Sequence, residues 1–100
     1  MEKFIFDPEI IWMLELIEND GRRIEDAETL VKYMEDQEVQ ELYEACVYIL
    51  PKDYPHEFLI KGKKQAIVEL LIKGYNPASY LKQRNQKIKD WLLEDYNSAL

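Results

Sequence analysis

Three glycines and four prolines are the strong helix breakers in this chain of one hundred residues, and where they fall constrains the fold more than any other feature. Asp7-Pro8 and Asn76-Pro77 each place a side-chain acceptor at a helix N-cap and a proline at the first helical position, where the missing N–H has no partner to lose. Gly21 and Gly74 follow apolar-periodic runs, at the place where a left-handed residue closes a helix, and Pro51 ends a third run. Breakers so few and so placed predict helices and exclude a β fold that needs many turns. The expectation is an all-α chain, a single helical domain over residues 1–100 built as a compact bundle of four to five mostly antiparallel helices.

The first helix, expected over residues 8–20, has Phe6 and Ile11 at the two positions of a hydrophobic staple. Between Ile10 and Ile17 its one polar residue is Glu15, so its apolar surface runs almost all the way round. Such a helix belongs at the centre of the bundle, or else shows one side to another subunit of a homodimer. The second, about 26–35, carries Ala27, Leu30, Val31 and Met34 on one face. The third, about 37–50, carries Val39, Leu42, Tyr43, Cys46, Val47 and Leu50.

A fourth helix is clear over 63–73, and Leu59, Ala66, Ile67, Leu70 and Leu71 keep one register across Gly62. The segment 55–73 therefore reads either as one helix or as two. The last helix, 77–96, has no internal breaker and stacks Leu81, Ile88 and Leu92, widened by Tyr80 and Trp91. Arg84 lies inside that apolar arc. Buried there, its guanidinium requires a carboxylate, or a stack on Trp91 or Tyr80.

With 47% hydrophobic residues and twelve aromatics among one hundred residues, the chain has enough apolar material for one modest core. The longest apolar run, Ile10 to Leu14, is far below the roughly 20 residues of a membrane span. No membrane association and a cytoplasmic location are expected, in keeping with a single cysteine that has no internal disulfide partner.

Charge is divided along the chain. Residues 1–60 hold sixteen Asp or Glu against five Lys or Arg, whereas residues 61–100 hold four against eight. A folded chain with this division neutralises itself internally or presents opposed patches to partners.

The residue types that catalysis most often recruits are scarce. One histidine, His56, and one cysteine, Cys46, are present; Cys46 falls on an apolar stripe and reads as a core thiol, and His56 reads as solvated or capping. Zinc and calcium ligand spacings are missing, as is the Glu-x-x-His pair of helical dimetal centres; Asp53 stands three residues before His56 instead. The glycines lie 41 and 12 residues apart, which rules out a glycine-rich phosphate loop. No enzyme, metal or cofactor is expected.

Two binding readings remain. Glu35, Asp36, Glu38, Glu41 and Glu44 crowd around the second turn and third helix, the last three expected as an acidic ridge opposite the apolar face. With Tyr43 and Tyr48 as anchors, they suit a small non-enzymatic regulator or inhibitor docking on the basic surface of a protein partner. The alternative is a DNA- or RNA-binding regulator using Lys63, Lys64, Lys82, Arg84, Lys87 and Lys89. Residues 66–81 loosely resemble the first helix, turn and second-helix start of helix-turn-helix proteins, although 82–91 offers no second turn beyond Asn85. A plain helical hairpin joined at 74–76 explains the same residues.

Overall fold

The computed structural model describes residues 4–55 and 61–99. Five helices form among them: α1 (Pro8–Asn19), α2 (Ile24–Tyr33), α3 (Asp36–Tyr48), α4 (Lys63–Ile72) and α5 (Ala78–Ala99). The turn chemistry explains most of their limits. Asp7 caps α1 by accepting from the Glu9 N–H at 2.9 Å. Asn76 caps α5 in the same way, accepting from Ala78 N–H at 3.0 Å, while its amide donates to the Leu14 carbonyl of α1 at 2.8 Å. One side chain thus starts the last helix and ties that start to the first.

Gly21 and Gly74 adopt φ of +92° and +95°, where an L side chain is strained and glycine is not. At the end of α4 the Tyr75 N–H donates to Leu70 O and the Gly74 N–H to Leu71 O, the two bonds of a Schellman cap. The two glycine turns meet in space. The Arg22 guanidinium lies over Gly74, so that a Cβ there would stand 2.9 Å from Arg22 Cζ, and the same guanidinium pairs with Glu18 at 2.9 Å.

One apolar cluster draws on all five helices and on Phe6 ahead of α1. Phe6 and Ile11, the expected staple, are both buried in it, as are Ala27, Leu30, Val31 and Met34 from the second helix. The most deeply embedded element is α4 rather than α1. It packs on α2, α3 and α1 and buries Ala66, Ile67, Val68, Leu70 and Leu71. Each such Leu or Ile contributes about 1.5–3 kcal/mol of transfer free energy. The all-round apolar α1 buries Ile10, Ile11, Leu14 and Ile17 but leaves Trp12 60% exposed.

Several expected boundaries move. α2 begins at Ile24, two residues before the expected start, with Arg23 as N-cap and no side-chain bond there. α4 begins at Lys63, because Gly62 is extended with ψ of 153°, so a continuous helix over 55–73 is excluded. His56 and Leu59 lie outside the described residues. The expected α4–α5 hairpin is also replaced: α5 finds its packing surface on α1, where the Asn76 bond to Leu14 directs it. The stripe of α5 is buried at Leu81 and Ile88, but from Lys89 to Ser98 every residue is exposed. The rod of 22 residues is about 33 Å long at 1.5 Å per residue, in a chain whose longest dimension is 48 Å.

Candidate interaction surface

The acidic cluster around α3 does not stay together. Glu38 is committed to the start of its own helix: its carboxylate accepts from the Glu35 N–H at 2.9 Å, while the Glu35 side chain accepts from the Glu38 N–H, closing a capping box. Glu41 is buried and lies 3.3 Å from the Arg84 guanidinium of α5. Glu44 is exposed and accepts from the Gln40 amide at 2.8 Å. The ridge expected opposite the apolar face is therefore a spiral that passes from half-buried Glu38 through the core edge to solvent. Helix geometry explains this, since steps of three residues fall about 60° short of a turn and spread the three carboxylates over about 120°.

What the structure aligns instead is a row at four-residue intervals, Asp36, Gln40, Glu44 and Tyr48. All but half-buried Gln40 are exposed, and Glu35 extends the acidic end of the row. Tyr48 is 72% exposed, yet its ring stacks on Tyr80 of α5 with centroids 4.7 Å apart and planes 24° from parallel. An aromatic ring held by such a contact is ordered in advance of any partner. Tyr43 points elsewhere: it packs on the core, with the Lys63 ammonium 6.0 Å above its ring. The core face of α3 is Val39, Glu41, Leu42, Ala45 and Cys46, so Val47, expected inside, sits at the surface.

The two halves of the charge division are stitched together by ion pairs. Lys82 of α5 reaches the Glu15 carboxylate of α1 at 2.9 Å, and Arg84 meets Glu41 as described. Arg84 also lies 6.0 Å from the Tyr80 ring centroid, so it has both the carboxylate and the aromatic contact expected of it. Its Nε is buried without a hydrogen-bond partner.

The basic residues of the alternative reading are scattered. Lys63 donates to Gln40 of α3, Lys64 lines a groove between α2 and α4, and Lys82 and Lys89 border a shallow site beside α1. Arg84 and Lys87 face a different groove. α5 continues without a second turn after the stretch resembling helix-turn-helix proteins.

That last groove, about 520 Å³, runs between the C-terminal part of α3 and α5. Phe4, Ile88 and Trp91 line it together with two carboxylates, Glu41 and Glu44, and two cations, Arg84 and Lys87. Neither it nor the Asn85 side chain beneath α5 was expected. Asn85 is buried among apolar residues, and its place between Leu81 and Ile88 at helical spacing is the same kind of signal that singled out Arg84.

Cys46 is fully buried, and loss of solvation pushes its thiol from the ordinary 9.0 up to about 12. No group of three or more His, Cys, Asp or Glu able to hold a metal ion occurs among the described residues, and none of their helices is long and apolar enough to cross a membrane. No protein-family model matches this chain, and searches of curated proteins and of solved structures return no match to it.

Proposed function

We propose that the chain is a small, acidic, non-enzymatic protein-binding module that regulates or inhibits a cytoplasmic partner by docking on its basic surface. The observation that carries this reading is the exposed row on α3, with carboxylates at Asp36 and Glu44 and, at its far end, Tyr48 held against Tyr80. Acidic side chains at the edge of such a surface speed encounter with a basic partner, and a pre-ordered aromatic supplies the anchoring contact. The formal charge of −7 adds a long-range field of the same sign.

Capture of basic proteins from a native lysate, followed by mass spectrometry, tests the reading. Asp36→Lys with Glu44→Lys, and separately Tyr48→Ala, should abolish capture while leaving helical content unchanged. Glu25→Lys, an exposed charge reversal on α2, should not. Capture that persists equally in all three variants overturns the reading and leaves the row as a solvated face.

A further inference from the structure

A smaller groove, about 270 Å³, runs between α1 and α2. Its floor is apolar, with Met13, Leu16 and Ile17 from α1 and Leu30 from α2. Its charged lining is of one sign: Asp20, the C-cap of α1, and Asp26 in the first turn of α2. Both residues are exposed, and neither carboxylate has an ion pair or hydrogen bond among the described residues. The cations nearest in sequence are engaged or face elsewhere. Arg22 pairs with Glu18 and Arg23 with Glu25, while Lys32 lines the groove between α2 and α4. Helical spacing carries the surface past the groove. At 100° per residue, Glu9, Met13, Leu16 and Asp20 fall within about 60° of one another on α1, and exposed Trp12 stands one turn before Leu16. On the α2 margin Tyr33 is 83% exposed. Apolar and aromatic side chains gathered in this way on a small domain mark a place that something covers.

We propose that the groove between α1 and α2 is a docking site for a basic amphipathic helix of a partner protein, whose apolar side chains enter the floor while its Lys or Arg side chains meet Asp20 and Asp26. Charge names the occupant. Among the described residues the lining holds two free carboxylates and no cation, so an acidic helix, a nucleic-acid backbone or an anionic membrane meets like charge there. A second copy offering the same face sets carboxylate on carboxylate. Size narrows the choice further. A volume of 270 Å³ is below the roughly 300–1,000 Å³ of small-molecule pockets, but it suits a few anchors projecting from one helix at i, i+3 and i+4. Leu16 and Asp20 stand one turn apart on α1, so a neighbouring helix meets apolar floor and carboxylate within a single turn of its own. This surface lies on other helices than the α3 row and does not rest on that row binding anything.

The probe is a synthetic helix of about five turns, with leucine along one face and lysine beside it. Isothermal titration into the full chain should show one-to-one binding with a micromolar Kd. Asp20→Lys with Asp26→Lys, and separately Met13→Glu, should each weaken that binding by about tenfold or more. All three residues are exposed, so helical content by circular dichroism should persist. Asp90→Lys with Glu94→Lys makes the same change of net charge on α5 and should leave the Kd within about twofold. Asp36→Lys with Glu44→Lys, which reverses the α3 row, should do likewise. The same helix with glutamate in place of lysine should not bind. Failure of the wild-type chain to bind the lysine helix, equal binding of the glutamate helix, or equal weakening by the α5 pair would overturn the proposal. So would loss of binding in the α3 variant alone, because the helix would then belong to that row.

Discussion

The side chain of Asn85 closes a two-way clasp on the backbone of Phe6: its Oδ1 accepts from the Phe6 N–H at 2.8 Å and its Nδ2 donates to the Phe6 carbonyl at 2.7 Å. All four groups are away from water, and the residues are 79 apart in the chain. Asn85→Ala should therefore orphan a buried donor and a buried acceptor, each worth about 1–3 kcal/mol. The expected loss is about 2–4 kcal/mol in urea unfolding. Asn85→Asp, which keeps an acceptor but has no donor for the carbonyl, should lose at least as much at neutral pH.

Glu41 and Arg84 should be strongly coupled. Removing one partner deprives a partly buried charge of this contact, whereas removing both leaves no such charge. Glu41→Ala and Arg84→Ala should each destabilise by about 1–3 kcal/mol, and the double variant by clearly less than their sum. Additive effects in a double-mutant cycle would show the contact to be energetically idle.

The two left-handed glycines separate backbone strain from crowding. Gly21→Ala meets no atom within 4 Å and should lose only about 1 kcal/mol from its positive φ. Gly74→Ala carries the same strain and also displaces the Arg22 guanidinium, disturbing the exposed pair with Glu18. Since an exposed pair is worth about 0–1 kcal/mol, the excess over Gly21→Ala should be within that range. It should vanish in an Arg22→Ala background.

Cys46 gives stability a slope in alkali. The unfolded thiol ionises near 9.0, while the buried one keeps its proton to about 12. Between those values the unfolded chain binds fewer protons than the folded chain, so stability falls as pH rises, by at most about 1.4 kcal/mol per pH unit. Below the ordinary thiol value the contribution is level. Cys46→Ala should flatten that part of a pH–stability curve, and a thiol reagent should label wild-type protein only as fast as it unfolds.

Local chemistry in the sequence made most of the fold legible. Asp7-Pro8, Asn76-Pro77, Gly21 and Gly74 mark their helix ends because capping depends on neighbours within a few residues. The faces of α1 and α2 follow from spacing alone. The α3 face was less legible: small Ala45 faces the core while larger Val47 does not, so the hydrophobicity of each side chain does not by itself set the face. Arg84 was readable as a buried cation in need of a partner, but its partner was not. Glu41 looks like any surface glutamate until α5 lies beside it. Asn85 gave the same polar-in-apolar signal as Arg84. What it grips, however, is a backbone unit at the other end of the chain, and no local pattern encodes that.

The exposed end of α5 should also behave as a thermodynamic unit of its own. A helical segment of about ten residues in which every described side chain is exposed draws little on core packing and is marginal in water, so amides beyond residue 90 should exchange with deuterium faster than those around Leu81 and Asn85, which wait for global unfolding. The helix is continuous in geometry yet divided in persistence, with Ile88 as the hinge between the two regimes. Whatever settles on the outer turns will announce itself first as slowed exchange there, before any change in shape.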